Sequence, residues 1–412
     1  MKILQINKYH YLRGGPETVY FNTCKLLSEH GHSVIHFSMK NEQDLESPTR
    51  EFFPESFELR EGSFIEKLKK SCRFFYNKEA KRNLEKLILQ EKPDVAQIHL
   101  YNNSLSVSIF KALKKHNIPV VLILHDHRQL CPSSLFLSKG KLCEKCRGSL
   151  YLNCTMHKCY QKSLLHSFML TLEIWQREGF FKLNKYIDEY LFISKFQREK
   201  HFSYHSYFKG KSNRLYNFIP DIQQIKPSTT KGNYYLFVGG IVEAKGIVTM
   251  VEAARKMNKY SFKVAGTGPL LEELKKTAPA NVEFLGFKTG AELENLIQNS
   301  FFTLTLSEGV ENSPMTIIEG YAHGKPCIAC RIGGIPELVA DNETGFLVEP
   351  KSVEGLIEKI ELTQTLSDEE YINMSQNARK FAENNFDPEQ YYQNLMVLYN
   401  KAINRKIING NF

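Results

Sequence analysis

The chain has 412 residues, 42% of them hydrophobic and 24% charged, which excludes a disordered polypeptide and exceeds what one hydrophobic core organises, so two domains are expected. Residues 1–217 carry 35 Lys and Arg against 21 Asp and Glu, and residues 218–412 carry 19 against 24, so the net charge of +9 originates in the N-terminal half alone. No run of ~18 apolar residues exists to form a spanning helix, and no nucleic-acid-binding motif accompanies the basicity.

The opening segment MKILQINKYH is too short and polar for a signal peptide, so a cytoplasmic protein is expected. Met1 to Asn7 reads as a strand. Gly14-Gly15-Pro16-Glu17 forms a loop, a helix runs to Glu29, and VIHFSM is a second strand. Strand, glycine loop, helix and strand make a Rossmann-like start. The paired glycines let backbone approach a ligand closely or simply form a tight turn. Residues 40–62 are polar and read as a loop. Residues 64–90 read as one helix in which Lys67, Lys69, Lys70 and Arg73 alternate with Phe64, Leu68 and Phe74. Such a stripe suits a membrane interface or packing on its own domain.

Residues 93–99 form a strand ending at His99, and residues 105–115 a helix. PVVLIL (119–124) is wholly apolar, as befits the centre of a parallel sheet. It runs into His125-Asp126-His127. Ligands of open α/β sheets lie at the carboxyl ends of strands, so His125 is a candidate functional residue, with Asp126 positioned to accept its N–H. Cys131 precedes Cys143-x2-Cys146-x7-Cys154-x4-Cys159. In a cytoplasmic chain these thiols form either a tetrahedral structural Zn²⁺ site, with His157 a substitute ligand, or free thiols. Residues 160–186 read as an apolar, aromatic helix that includes Trp175. A strand (190–194) and a helix from Lys195 follow, RLYNFIP closes the first domain at 220, and polar residues 221–233 form a hinge.

The second domain opens with the strand YYLFV (234–238), then Gly239-Gly240, Lys245-Gly246 and a helix. Further strands fall at 262–266 and 282–285, with Gly266 and Gly286-Phe287 at their ends. After a helix over 292–298 and a strand over 303–306 comes SEGVENSPMTIIEGYAHGKP (307–326). Asn312 and Ser313 read as N-caps and Pro314 as the first helical residue, while Gly324 and Pro326 end the helix. The free N–H groups of that first turn suit a phosphate. Glu311 and Glu319 bracket it, placed to accept sugar hydroxyls; the alternative is an ordinary capped surface helix. CIAC (327–330) is a core strand, IGGIPELV a Pro-started turn, and NETGFLV hairpin-like. Residues 354–409 are helical, and Tyr391, Tyr392 and Tyr399 form a stripe that packs back on the first domain.

Glu311-x7-Glu319 within ENSPMTIIE, followed by AHGKP and GGIPELV, resembles the donor-binding segment of the family 4 glycosyltransferases of GT-B fold. The Gly-Gly loop after the first strand and the GHSV that follows fit the same pattern, as does the HD…CP…CxxC…C…C segment of a subset of that family. The resemblance implies an α/β GT-B fold: residues 1–220 as an acceptor-side Rossmann-like domain with a Cys-rich insertion (131–159), residues 234–390 as a nucleotide-sugar-binding Rossmann-like domain, and residues 391–412 as a helix returning to the first. It implies catalytic roles for Glu311, His125 and Lys245. Donor contacts fall to Gly14, Gly15, Gly240, Lys245, Gly266, Phe287, Asn312, Ser313, Met315, Thr316 and Glu319. Gly240 departs from the family's usual Arg, so one phosphate-neutralising charge is missing, and Arg13 or Lys8 would have to replace it.

The implied activity is retaining transfer of a sugar from a nucleotide-sugar donor to a hydroxyl, with no cofactor required for catalysis and a structural Zn²⁺ as the metal expected. The implied acceptor is a glycan or a polyprenyl-diphosphate-linked one, in surface polysaccharide assembly at the inner face of the plasma membrane. Nucleic acid is not an expected partner. A nucleotide-sugar epimerase or phosphorylase on the same fold, or a non-catalytic donor-binding subunit, are the alternatives.

Overall fold

A computed structural model describes residues 1–58 and 63–410. The last four residues of the expected 40–62 loop, the side chain of Phe64 and the last two residues of the expected C-terminal helix lie outside the described set. In the first unit, β1 (Lys2–Ile6), α1 (Gly15–Glu29), β2 (Ser33–Phe37), α2 (Phe64–Phe75), α3 (Lys78–Glu91), β3 (Val95–Ile98), α4 (Ser108–Lys115) and β4 (Val120–Leu124) alternate as expected of a doubly wound sheet. A small antiparallel ribbon follows, β5 (Leu137–Ser138) with β6 (Lys141–Leu142), then α5 (Leu152–Met156), α6 (Leu164–Ile174), β7 (Glu189–Phe192), α7 (Lys195–Tyr204) and β8 (Ser212–Arg214). The six-stranded parallel sheet has the order β2-β1-β3-β4-β7-β8. All five residues of β4 are buried, because helices cover both faces of the sheet.

The second unit repeats the plan: β9 (Tyr234–Val238), α8 (Ile247–Lys256), β10 (Ser261–Ala265), α9 (Leu271–Thr277), β11 (Val282–Gly286), α10 (Gly290–Gln298), β12 (Phe302–Thr305), α11 (Met315–Ala322), β13 (Cys327–Cys330) and β14 (Gly345–Val348). Its parallel sheet has the order β11-β10-β9-β12-β13-β14. Helices α12 (Val353–Thr365), α13 (Asp368–Asn385) and α14 (Pro388–Gly410) complete the chain. The architecture is two Rossmann-like units, the GT-B arrangement.

Helix α14 leaves the second unit and lies against β3, β4, β7 and α1 of the first. Tyr399 is fully buried there; its hydroxyl donates to Gln97 Oε1 and accepts from Gln5 Nε2 at 3.2 Å. Tyr392 stacks on His30 with ring centroids 3.7 Å apart.

Local chemistry explains where the elements depart from sequence expectation. The stretch 64–90 is two helices, not one. Asn77 turns extended, and its side chain accepts from Ala80 N at 3.0 Å and donates to Ser104 O at 2.8 Å, which starts α3 afresh. The 160–186 helix begins at Leu164, where Ser163 caps it, and widens into a π-helical turn over Trp175–Phe180. NETGFLV is not a hairpin: Gly345–Val348 pairs parallel to β13.

Candidate active site between the two sheets

The carboxyl ends of both sheets face one cleft of about 1490 Å³. The loop after β1 brings Arg13, Gly14 and Gly15, and the end of β4 brings His125. From the opposite wall come Gly240 and Lys245 after β9, Gly266 after β10 and Phe287 after β11. Glu311 to Thr316 and Glu319 follow from the loop that opens α11. All thirteen residues expected at a donor site therefore line the same space, although strands hundreds of residues apart carry them. Lys8 and Asp126 do not line it. The glycine loop meets the helix start directly: a Cβ on Gly15 would lie 3.7 Å from Met315 Cγ.

Helix α11 begins one residue later than the sequence suggests. Pro314 is its extended cap residue, and neither Asn312 nor Ser313 caps it with a side chain. Instead Asn312 Nδ2 reaches across the cleft to His125 O at 3.1 Å. Asn217 Nδ2 donates to Ser313 O at 3.2 Å. The first-turn N–H groups, Met315 and Thr316 among them, have no intrahelical acceptors. Buried at the same wall, Ser313 Oγ and Asn217 Oδ1 have no partner among the described residues and can bond a polar ligand. The following turn fixes the loop from behind. Gly334 N donates to Glu311 O at 2.8 Å, and a Cβ at Gly333 would fall 2.1 Å from that same oxygen.

The two charged residues assigned separate roles are bonded to each other. Lys245 Nζ lies 2.5 Å from Glu311 Oε1, which Ser307 Oγ also approaches at 3.2 Å. Glu319 is the contrasting case. It has no ion pair among the described residues, and burial together with the charge of Glu294 raises its pKa to about 7. Phe287 stands 53% exposed at the cleft, an open aromatic face.

His125 is oriented by a neighbour other than the expected one. Asp126 Oδ1 accepts from Arg128 N at 2.8 Å and is turned to its own loop. The ring of His125 meets His99 instead, Nε2 to Nδ1 at 3.0 Å, with ring planes 18° apart. Burial lowers the pKa of His125 to about 3 and holds that of His99 well below its ordinary value. The pair is therefore neutral and shares one N–H, leaving His125 Nδ1 for the cleft. His99 Nε2 continues to Gln5 Oε1 and Gln97 Nε2, each at 3.1 Å, and both amides bond Tyr399. Nearby, Tyr20 OH links His10 Nδ1 (3.1 Å) and His36 Nδ1 (2.9 Å), and burial lowers both imidazoles to about 4. This histidine network escaped the sequence reading, though His99 ends β3 just as His125 ends β4.

Gly266 and its neighbours serve packing as much as ligand approach. A Cβ at Gly266 would fall 1.9 Å from Gly239 O, and one at Gly246 1.9 Å from Leu306 O. Gly240 is different: its nearest neighbour would be Val242, at 4.0 Å.

None of Cys131, Cys143, Cys146, Cys154 and Cys159 lines the cleft, although Leu135 O of that segment accepts from Val310 N of the loop leading to Glu311. Among the described residues no three His, Cys, Asp or Glu side chains form a group able to hold a metal ion. Cys143, Cys146, Cys154 and Cys159, expected to hold zinc, form no such group as they stand, although Cys146 and Cys154 each lie within electrostatic reach of one another, of Cys131 and of Cys159. Cys154 and Cys159 face each other as a coupled thiol pair, a contact that holds the Cys159 thiol below its ordinary pKa and pushes that of Cys154 up. Cys143 is tied by its N–H to Phe136 O at 2.7 Å, beside the β5–β6 ribbon. Cys327 and Cys330 are buried in β13.

Residues 13–221 match the family model described as Glycosyltransferase Family 4, and residues 218–381 that of Glycosyl transferases group 1. Among curated relatives, an uncharacterized glycosyltransferase of Methanocaldococcus jannaschii is 33% identical over 132 residues, 31% of this chain and 37% of that one. N-acetyl-alpha-D-glucosaminyl L-malate synthase of Bacillus anthracis is 29% identical over 209 residues, 45% of this chain and 52% of that one. The amylovoran biosynthesis glycosyltransferase AmsK of Erwinia amylovora is 29% identical over 136 residues, 29% and 33% of the two chains. The chain thus spans about a third to a half of the length of these relatives. Two solved structures share the fold: a glycosyltransferase from Rickettsia africae (TM-score 0.67, 16% identity, 98% of each chain) and Anabaena HepE in complex with UDP-glucose (TM-score 0.62, 16% identity, 99% of this chain and 100% of that one).

Proposed function

Since this chain belongs to Glycosyltransferase Family 4, we propose that it is a retaining enzyme that moves a sugar from a nucleotide-sugar to a hydroxyl acceptor during assembly of a bacterial surface polysaccharide. In this reading residues 1–220 form the acceptor side, residues 234–390 the donor side, and residues 391–412 return to the first domain. The observation that carries it is the juxtaposition in one cleft of the α11 N-terminus, the Lys245–Glu311 pair, the neutral His125 and the unpaired Glu319. The N–H groups of Met315 and Thr316 and the Lys245 ammonium face the diphosphate and take the charge that grows as it departs. Asn312 and Ser313 line the same wall. Glu311 releases Lys245 to the phosphate and, with His125, orients the sugar while the acceptor attacks the face the nucleotide leaves. Glu319 accepts the ribose hydroxyls, Phe287 stacks on the base, and the Gly14, Gly15, Gly240 and Gly266 loops close around the phosphates.

A uridine nucleotide is the first donor to test, because HepE of the same fold is found in complex with UDP-glucose. A polysaccharide acceptor is suggested by the name of AmsK. A polyprenyl-diphosphate-linked glycan suits the basic N-terminal half, which also favours peripheral contact with the inner face of the plasma membrane, through α2 and α3 among others. No cofactor is invoked for transfer. The family match favours transfer over epimerase, phosphorylase or non-catalytic subunit chemistry. Thermal-shift screening against UDP-, GDP- and ADP-sugars should identify one stabilising donor class, and Glu311→Ala should abolish transfer from it without lowering the melting temperature. Transfer that survives Glu311→Ala would remove the site from this role.

A further inference from the structure

Helix α6 and its π-helical extension bury Leu170 and Ile174 on the inner side yet are apolar on the outer side as well. Along residues 164–180 the face turned to the protein carries the charges: Arg177 is 0% exposed, 3.3 Å from Glu173 and 3.1 Å from Glu178, and its Nη2 donates to Arg128 O at 2.7 Å. Tyr207 OH donates to Glu178 at 3.1 Å. These bonds fix the roll of the helix. The opposite face presents Leu164, Leu165, Phe168, Leu172, Trp175 and Phe180, at the spacing of one helical side. Leu165 is 63% exposed and Phe180 92%, and no charged residue interrupts them. A soluble helix normally turns a polar side outward. The helix is flanked by exposed lysines, Lys158 and Lys162 before it and Lys182 and Lys185 after it, none in an ion pair among the described residues. Between 139 and 185 the sequence has nine Lys and Arg against three Glu, and two of those Glu are the ones held by Arg177.

We propose that this face is a membrane-docking surface, with α6 lying in the headgroup region of an anionic phospholipid leaflet. Seventeen helical residues make a rod of about 25 Å, long enough to lie in the interface plane and not to span it. Apolar side chains on one side, a tryptophan among them, and lysines at both ends match the acyl boundary and the phosphate layer respectively. A second copy of the chain is a poorer occupant, since apposed copies would bring two strongly basic halves together. The placement refines the membrane part of the reading above, moving the contact from α2 and α3 to α6, and needs no assumption about transfer.

Trp175, the sole tryptophan of the chain, reports on this face directly. The full-length protein should bind vesicles of equal phosphatidylglycerol and phosphatidylcholine. Its emission should shift to the blue and be quenched by brominated acyl chains, with little binding to pure phosphatidylcholine. Leu165→Glu with Phe168→Glu should lower vesicle affinity at least tenfold with an unchanged circular-dichroism melt, whereas Lys67→Glu with Lys69→Glu on α2 should change it less than threefold. Wild-type protein that ignores anionic vesicles, or binds neutral ones equally, overturns the assignment. So does a Leu165→Glu, Phe168→Glu protein that still binds. Loss on the α2 substitutions alone would keep membrane contact but move it off α6. Sedimentation showing a wild-type dimer that these α6 changes dissociate would make the face a self-association surface instead.

Discussion

Gly240 is open to the cleft, with nothing nearer than 4.0 Å to a Cβ placed there. Glycine is therefore not required by packing at the position where the family usually places Arg. Because Lys245 is already engaged by Glu311, the donor diphosphate depends on other cations of the lining, Arg13 on the opposite wall and Lys226 and Lys288 among them. Gly240→Arg should tighten nucleotide-sugar binding about three- to tenfold, on the order of 1 kcal/mol for a charge-assisted bond; calorimetric titration of both proteins decides, and unchanged affinity would mean the charge is supplied elsewhere. Glu319 makes a second prediction. With its pKa raised to about 7, it is a carboxylate above neutrality and protonated below, so donor affinity should fall as pH drops from 8 to 6, by up to about tenfold. Glu319→Gln should flatten that profile, and an identical slope in the variant would assign the titration to another group. At this scale the sequence named the residues of the cleft but not their partners. Lys245 and Glu311 were read apart and are bonded; His125 was given to the adjacent Asp126 and belongs to His99. Sequence neighbours suggest themselves, whereas strand ends meet only after the sheet forms.

The loop that opens α11 is held by the turn after β13, not by its own side chains. Gly333 has φ +62°, and a Cβ there would collide with Glu311 O at 2.1 Å. Two residues beyond the turn's close, Glu337 accepts from Lys195 N at 2.8 Å, from Phe196 N, and from Tyr216 OH at 3.0 Å, so it caps α7 of the first domain. Gly333→Ala should cost about 1–3 kcal/mol and weaken donor binding, read as a lower melting temperature and a raised Kd. Gly14→Ala, at an extended backbone with its nearest neighbour 3.8 Å away, should leave the melting temperature within a degree. Equal effects at the two sites would show that backbone conformation is not what the GGIP turn contributes. Element order was legible because each parallel strand is a short apolar run followed by an amphipathic helix. Element ends were not, where one side chain decides: Asn77 splits a helix that periodicity joins, and Asn312, a plausible cap by composition, spends its amide across the cleft.

The two units are tied by contacts between residues too distant for any sequence pattern to reveal. Tyr399 of α14 bonds Gln5 of β1 and Gln97 of β3, 394 and 302 residues away, and those amides continue to His99 and His125 at the cleft. Glu337 caps α7, Asn312 bonds His125 O, and Tyr392 stacks on His30. Two similar folds joined by a polar hinge would suggest two independent unfolding events. The buried returning helix argues for one, because unfolding either unit strips α14 of half its partners. Tyr399→Phe keeps the ring and its packing but leaves both glutamines short of a partner in a fully buried position. It should cost about 1–3 kcal/mol and lower the single calorimetric transition as a whole. If the wild type melts in two steps and the substitution moves only the first unit's step, α14 is an appendage of that unit and does not couple the two walls of the cleft.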